Sequence, residues 1–531
     1  MNKKELWTKF RSKRMQKRLL LALALFVLVI VSVNVLTHIA EKEAITKFKK
    51  LNGTFGSIKI NILSRSVIIK NIAWQSPNQQ YPHQVTIANC KFQGIGLFQL
   101  IFHKRIYIEK LLLDSGKISY NQLLEAKEAP SPTKEKYPVE IENIIVNNLY
   151  GELKQDSVSK IHGLVNASTG AFVSTDKFLK AFQSNFNYLE GSILDLTIKD
   201  AKGFYTTHVN EVQFDSRAQR LQIDSLTLIP QHTKYQFARK WGQQIDRIDL
   251  SIQKIDISRL DYPKLFDSLF SAGKISVTSA DLLSFRDKRI PDGIEPIVPM
   301  PMTSLARLPF AISIDSIVLT SSKVTVEEFA VDGFQPGYIN FQQLTALMTT
   351  IDNRYDSTKA RHSKLVASGN LMGTGLVKAT FSFPLDGSAD YLTTGSLRDF
   401  RLADLNPMLE NIAQLRIEEG HLKEVSFNFR YNDRKSIGSL AINYKDLKLQ
   451  VLKSDKGKSE NYFKSWLINA LVMNTKDKSV DRAKRTGLIE LERDRKRFIF
   501  NIWWKSIRSG LQSSFLGKST PPLPKSKVRK N

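Results

Sequence analysis

The chain has 531 residues, 42% of them hydrophobic and 24% charged, which is enough apolar side chain for substantial burial and excludes wholesale disorder. Its single cysteine, Cys90, excludes an internal disulfide and a cysteine-rich zinc site. The net charge of +27 does not describe a basic folded face: residues 1–18 carry +7 and residues 482–531 carry +11, leaving +9 for the 463 residues between.

The basic segment 1–18 runs into "LLLALALFVLVIVSVNVLTHIA" (19–40), 22 residues without formal charge. As a helix this run spans about 33 Å, enough for a bilayer core. A buried core helix is disfavoured by the dense basic flank. A cleaved signal peptide is disfavoured by the length of the run and the lack of a small-x-small site at its end. The expectation is an uncleaved transmembrane anchor over 19–39. Eight Lys/Arg precede it and four follow soon after (Lys42, Lys47, Lys49, Lys50), which keeps the N-terminus cytoplasmic. In a bacterium with two membranes, the bulk of a single-pass inner-membrane protein of this kind is periplasmic.

From residue 56 to about 450 the chain alternates β-branched and aromatic residues with polar ones, the pattern of strands with one apolar and one wet face, and residues 40–403 are expected as one repetitive periplasmic β domain. One phrase occurs three times: "IYIEKLLLDSGKISY" (106–120), "VEIENIIVNNLYGEL" (139–153) and "ISIDSIVLTSSKVTV" (312–326). Ile106, Ile108, Leu111 and Leu113 align with Val139, Ile141, Ile144 and Val146, and with Ile312, Ile314, Ile317 and Leu319. Each block then crosses a small polar break, Asp114-Ser115-Gly116, Asn147-Asn148 or Thr320-Ser321-Ser322. Short hairpin turns are expected at Asp114-Ser115-Gly116, Tyr431-Asn432-Asp433 and Asp386-Gly387. The spacing predicts about 25 strands in a largely antiparallel sheet. A sheet that size cannot stay flat with one apolar face in water. It either curls into a trough, whose inward face suits acyl chains, or splits into sandwiches that cover their own faces. The residues leave these two open: the fold class is mainly β, with an N-terminal transmembrane helix and a few C-terminal helices, built as an elongated, curled antiparallel sheet or as a string of sandwiches.

Helical periodicity enters at 404–415, "DLNPMLENIAQL", with Asn406 as N-cap, Pro407 at the first helical position and Met408, Ile412 and Leu415 along one side. A second helix is expected at 461–473. Loops are expected at 125–138 and 287–309, and a disordered basic tail at 517–531. Within the C-terminal module, 404–516, a terminal helix separates on projection. Ile499, Trp503, Ile507, Leu511 and Phe515, broadened by Phe500 and Trp504, form one side. Arg497, Asn501, Lys505, Arg508 and Gln512 form the other. Paired tryptophans beside a basic face fit a membrane-interface helix; a helix capping the sheet fits equally.

No metal-ligand spacing, nucleophile elbow or P-loop occurs, and no two of the eight histidines lie closer than His83 and His103. No catalytic residue, cofactor or metal is expected; an enzyme would need a cleft gathering groups such as His162, His208 or Asp249. Nucleic acid is not an expected partner, because aromatic and basic residues do not share a sheet face.

With these features in order, the chain resembles the AsmA-like family of bacterial envelope proteins. The resemblance begins with the anchor leading into "GTFGSIKINILSRSVIIKNIAW" and "FQGIGLFQLIFHKRIYIEKLLLDSGKISY". It is strongest in "LRDFRLADLNPMLENIAQLRIEEGHLKEVSFNF", "GSLAINYKDLKLQVL" and "FIFNIWWKSIRSGLQSSF". It implies an inner-membrane-anchored periplasmic β-groove that handles phospholipid and supports outer-membrane integrity, with no catalytic residues. The expected partners are thus an acyl lipid and the membrane, inner and possibly outer. The competing expectation is a structural or regulatory envelope protein that binds other envelope proteins and transports nothing.

Overall fold

The computed structural model describes residues 53–76, 83–122, 139–155, 158–173, 187–293, 297–354, 362–385, 390–452 and 485–516, with isolated positions at 38–39, 41–42 and 45–46. Residues 1–37, the linker 125–138, the predicted helix 461–473 and the tail 517–531 lie outside them, as does the side chain of Phe515. Among the described residues no helix is long and apolar enough to cross a membrane. The chain divides into two units after Leu196.

In the first unit, β1 (Gly53–Thr54) and β2 (Ser57–Asn61) both pair with β3 (Ser66–Gln75), which begins a ladder through β4 (Gln84–Gln93), β5 (Ile106–Gln122), β6 (Val139–Gln155) and β7 (Val158–Val173). A short helix, α1 (Leu97–His103), joins β4 to β5. Strand β8 (Leu189–Lys199) spans the boundary between units.

The second unit is a ladder in chain order. It begins with β9 (Tyr205–Asp215), β10 (Arg220–Pro230), β11 (Arg247–Ser258), β12 (Leu269–Asp287), β13 (Ala311–Phe329) and β14 (Gly337–Asp352). It continues through β15 (His362–Leu371), β16 (Gly375–Pro384), β17 (Tyr391–Arg401), β18 (Leu415–Tyr431), β19 (Lys435–Val451) and β20 (Arg485–Glu492). Among the described residues five helices decorate it: α2 (Lys234–Trp241), α3 (Tyr262–Phe266), α4 (Pro301–Ala306), α5 (Asn406–Ala413) and α6 (Ile499–Leu516).

The sheet is mixed rather than antiparallel throughout. β5 pairs parallel with β6, and β12 with β13. In both cases a long connection, 16 residues at 123–138 and 23 at 288–310, returns the chain to the end where the previous strand began. A parallel neighbour requires a crossover of that length. The repeated phrase falls on these pairs. Ile106, Ile108, Leu111 and Leu113 stand opposite Val139, Ile141, Ile144 and Val146. The third copy stands opposite a fourth that its small residues conceal: Ile312, Ile314, Ile317 and Leu319 face Phe270, Ala272, Ile275 and Val277.

Strands are fewer and longer than expected, twenty among the described residues, because the polar breaks are not turns. Asp114-Ser115-Gly116 lies inside β5, Asn147-Asn148 inside β6 and Thr320-Ser321-Ser322 inside β13. At each break one residue adopts the left-handed conformation: Ser115 (φ 56°), Asn148 (φ 52°), Ser279 in β12 (φ 53°) and Ser321 (φ 50°). Where β6 meets β7, Asn147 and Asn148 stand in the space of Asn166 alone, a β-bulge. Tyr431-Asn432-Asp433 does open the turn between β18 and β19; Asp386-Gly387 lies outside the described residues.

The helix expected at 404–415 is shorter and capped differently. A 3-10 turn at Leu402–Leu405 leads into it, and Leu405 is the N-cap. Asn406 turns to the sheet, where its amide accepts from Ile417 N (2.8 Å) and donates to Ile417 O (2.9 Å). Leu415 is the first residue of β18 and is fully buried.

Candidate functional site

The bulges determine which residues share a face. In a strand, successive side chains alternate, so an apolar series should advance by two. Here it advances by two, jumps by three at the break, then advances by two again. β3 reads Val67, Ile69, then Ile72, Trp74, with left-handed Asn71 in the gap. β10 reads Leu221, Ile223, then Leu226, Leu228, with Ser225 in the gap. β19 reads Leu440, Ile442, Tyr444, then Leu447, Leu449, with Asp446 in the gap. A residue that advances the chain without alternation keeps the apolar series on one side of a strand that would otherwise turn it to the other.

Register then joins these series across strands. In the first unit Ile69, Cys90, Leu113, Val146 and Ala167 stand in one row, and Val67, Phe92, Leu111, Ile144 and Thr169 in the next. Among them burial pushes the Cys90 thiol up to about 11, so it stays protonated and apolar at neutral pH. In the second unit one row crosses the twelve described strands β9 to β20. Phe214, Leu221, Ile257, Ile275, Ile317 and Met348 lead into Leu365, Phe381, Thr393, Phe429, Gly438 and Ile489. At about 4.8 Å per step it runs roughly 50 Å along the ladder. One residue over, on the opposite face, the row Gln213, Gln222, Asp256, Ser276 is polar from β9 to β12.

Cover on the apolar row is uneven. At the β16–β20 end Phe381, Thr393, Phe429 and Ile489 are buried beneath Met300 and Met302 at α4 and Ile499 and Ile502 of α6. Near α3 a smaller cluster holds Ile257, Leu260, Tyr262 and Ala272. Ile317 and Leu319 belong to neither cluster and stay half-buried, flanked by strand neighbours. Of the twelve repeat residues, Ile108, Ile141 and Ile314 are buried. The other nine, Ile106, Leu111, Leu113, Val139, Ile144, Val146, Ile312, Ile317 and Leu319, are half-buried. Thus the structure brings the first two copies together in the first unit and places the third in the second unit. The row members Phe214, Leu221, Ile275, Met348 and Leu365 escaped the sequence analysis because no repeated phrase marks them.

α6 packs on the sheet through Ile499, Ile502, Ser506, Ser509 and Gly510. Trp503, Ile507 and Leu511 flank this contact; the Trp503 indole N–H donates to the Tyr431 hydroxyl (2.8 Å) and its ring stacks on Phe381 at 4.2 Å. Ser509 Oγ and Ser513 Oγ accept from Glu490 N (3.2 Å) and Leu488 N (3.0 Å), closing the last edge strand. Phe500 and Trp504 point outward beside Phe498, all more than half exposed. Lys505 and Arg508 are half-buried, and desolvation lowers the pKa of both; Lys505 lies 3.7 Å from Asp494.

Each of the polar groups weighed as catalytic is engaged with a local neighbour. His162 Nδ1 lies 3.2 Å from Ser159 Oγ, His208 Nδ1 lies 3.2 Å from Thr197 Oγ1, and Asp249 accepts from Arg247. No group of three or more His, Cys, Asp or Glu is arranged to hold a metal among the described residues. No protein-family model matches the chain, and comparison with curated proteins returns no match.

Proposed function

We propose that the protein is a membrane-anchored lipid-handling protein whose apolar sheet face holds acyl chains while headgroups stay in water. The observation that carries this reading is the row through Ile317: apolar on every strand from β9 to β16 and only half covered at its middle. A sandwich would bury that row along its whole length, as α4 and α6 bury its far end. Each methylene moved from water to such a face contributes about 0.8 kcal/mol, so an alkyl chain is held without any catalytic group. The resemblance to AsmA-like proteins supports the same reading, with the N-terminal segment as anchor in an inner membrane and the product of transfer serving the outer one. A scaffold that binds envelope proteins is favoured instead by the filled core at β16–β20.

Photocrosslinking separates the two. A photoreactive residue at Val146, Ile317 or Leu319 is expected to capture phospholipid in intact cells, whereas the same group at Asp256 or Ser276 on the polar face is not. Equal capture from both faces, or protein adducts alone from the apolar face, overturns the proposal.

A further inference from the structure

Helix α1 carries its apolar residues outward. Its sequence is "LFQLIFH", and Phe98 is 61% exposed, Ile101 68% and Phe102 68%, with Leu97 and Leu100 also exposed and no residue of the helix buried. The helix is nevertheless held firmly. Leu100 N donates to Gly96 O (3.0 Å), Arg105 N to Gln99 O (3.1 Å), Gly96 N to Tyr107 O (2.9 Å) and Ile95 N to Arg65 O (3.0 Å). Leu63, in the adjoining β2–β3 turn, is 77% exposed. A fixed cluster of large apolar side chains turned to solvent marks a surface that something covers.

Two observations point to a bilayer. First, Glu41 Oε1 accepts from Ile60 N (2.9 Å) at the end of β2 that leads into the turn holding Leu63. Glu41, which directly follows the 22 uncharged residues 19–40 in the sequence, thus stands at the strand end from which α1 projects. Second, the surroundings mix apolar and basic groups as an interfacial helix does: His103 ends α1, Lys104 and Arg105 follow it, and Lys42 follows Glu41. Arg65 and Arg105 are paired with Glu109 and Glu140, so part of this charge is neutralised within the unit.

We propose that α1 and Leu63 lie in the headgroup–acyl boundary of the membrane that holds residues 19–40, seating the β3–β5 strand ends on the bilayer. Val67, Phe92 and Leu111, the apolar row at that end, then meet the hydrocarbon region, so an acyl chain enters the sheet face without crossing water. This rests on the anchor reading above, and the experiment keeps the two apart.

The full chain, with Cys90→Ala, carries a single fluorophore-labelled cysteine at Phe102→Cys, Phe98→Cys or, at the opposite strand end, Val158→Cys. It is reconstituted in phosphatidylethanolamine–phosphatidylglycerol vesicles with or without a nitroxide on the acyl chains. The labels at 98 and 102 are expected to shift to the blue and to be quenched by the nitroxide, and the label at 158 to do neither. Retention through a carbonate wash with aqueous labels at 98 and 102 overturns the inference while leaving the anchor intact. Release by the wash overturns both. A blue shift without nitroxide quenching identifies a protein, such as a second copy of this chain, as the occupant and also overturns it. The positions are exposed, so substitution leaves the sheet folded, and unchanged far-ultraviolet circular dichroism checks that point.

Discussion

At position 148 a single residue does two jobs. Its left-handed φ of 52° advances β6 without alternation, and its N–H, displaced from the ladder, donates to Asn166 Oδ1 at 2.8 Å. Left-handed backbone costs most L-residues about 1–2 kcal/mol, least for Asn, Asp and Gly. That explains why Asn71, Asn148, Asp195, Asp399 and Asp446 occupy such sites. Asn148→Gly is therefore expected to melt close to the parent chain, and Asn148→Val about 1–2 kcal/mol less stably. Equal melting of the two variants would show that the backbone at the bulge carries no strain. The jump by three was visible in the sequence, in Val146 followed by Leu149 and in Ile223 followed by Leu226. It reads as a turn unless one knows that the chain runs straight on, because small polar residues mark both turns and bulges. Ser279 was harder still: its strand carries Ala272 and Ser276 where the other copies carry larger apolar residues, so the repeat did not surface.

At the scale of elements, α6 shows that a stripe read from hydropathy finds the packed side of a helix without finding its point of closest contact. The sequence offers Trp503, Ile507 and Leu511, yet the closest approach is made by small residues. A Cβ on Gly487 of β20 would sit 2.0 Å from Gly510 O, and one on Gly510 would sit 2.6 Å from Leu440 Cβ. Helix and sheet meet backbone to backbone there, and the flanking serines bond the strand edge that would otherwise be left open. Gly487→Ala is expected to lift α6 and cost about 1–3 kcal/mol, whereas Trp504→Ala, outward on the same helix, leaves the melting temperature unchanged. Both are read by thermal unfolding. If Gly487→Ala proves neutral, the tight seat of the helix is not needed. The parallel pairs mark another limit of pattern analysis. Alternation in β12 and β13 specifies strands, but which end each begins from depends on the path of residues 288–310, whose composition says only that they are a loop.

For the second unit as a whole, the apolar row performs two physical tasks along one line of register. From β16 to β20 it is a core: Phe429 is fully buried, among Tyr431, Ile489 and Ile502. Around β13 it is a surface, with Ile317 half-buried and Leu319, two residues on, beside it on the same face. A protein that needed only stability would have covered both stretches, since about 25 cal/mol is gained per Å² of apolar area removed from water. Substitutions at the two ends should therefore separate stability from lipid content. Phe429→Ala is expected to cost about 3–5 kcal/mol by opening a cavity, and to lower bound lipid only as far as it unfolds the chain. Ile317→Asp gives up about 1 kcal/mol of partial burial but places a carboxylate in the path of an acyl chain, where an unpaired charge is strongly disfavoured. The measurement is phospholipid recovered per mole of purified folded protein, beside the melting temperature of each variant. A severalfold loss of lipid is expected for Ile317→Asp at near-parental stability. If lipid content instead follows melting temperature across both variants, the middle of the row is an ordinary exposed surface and carries no lipid.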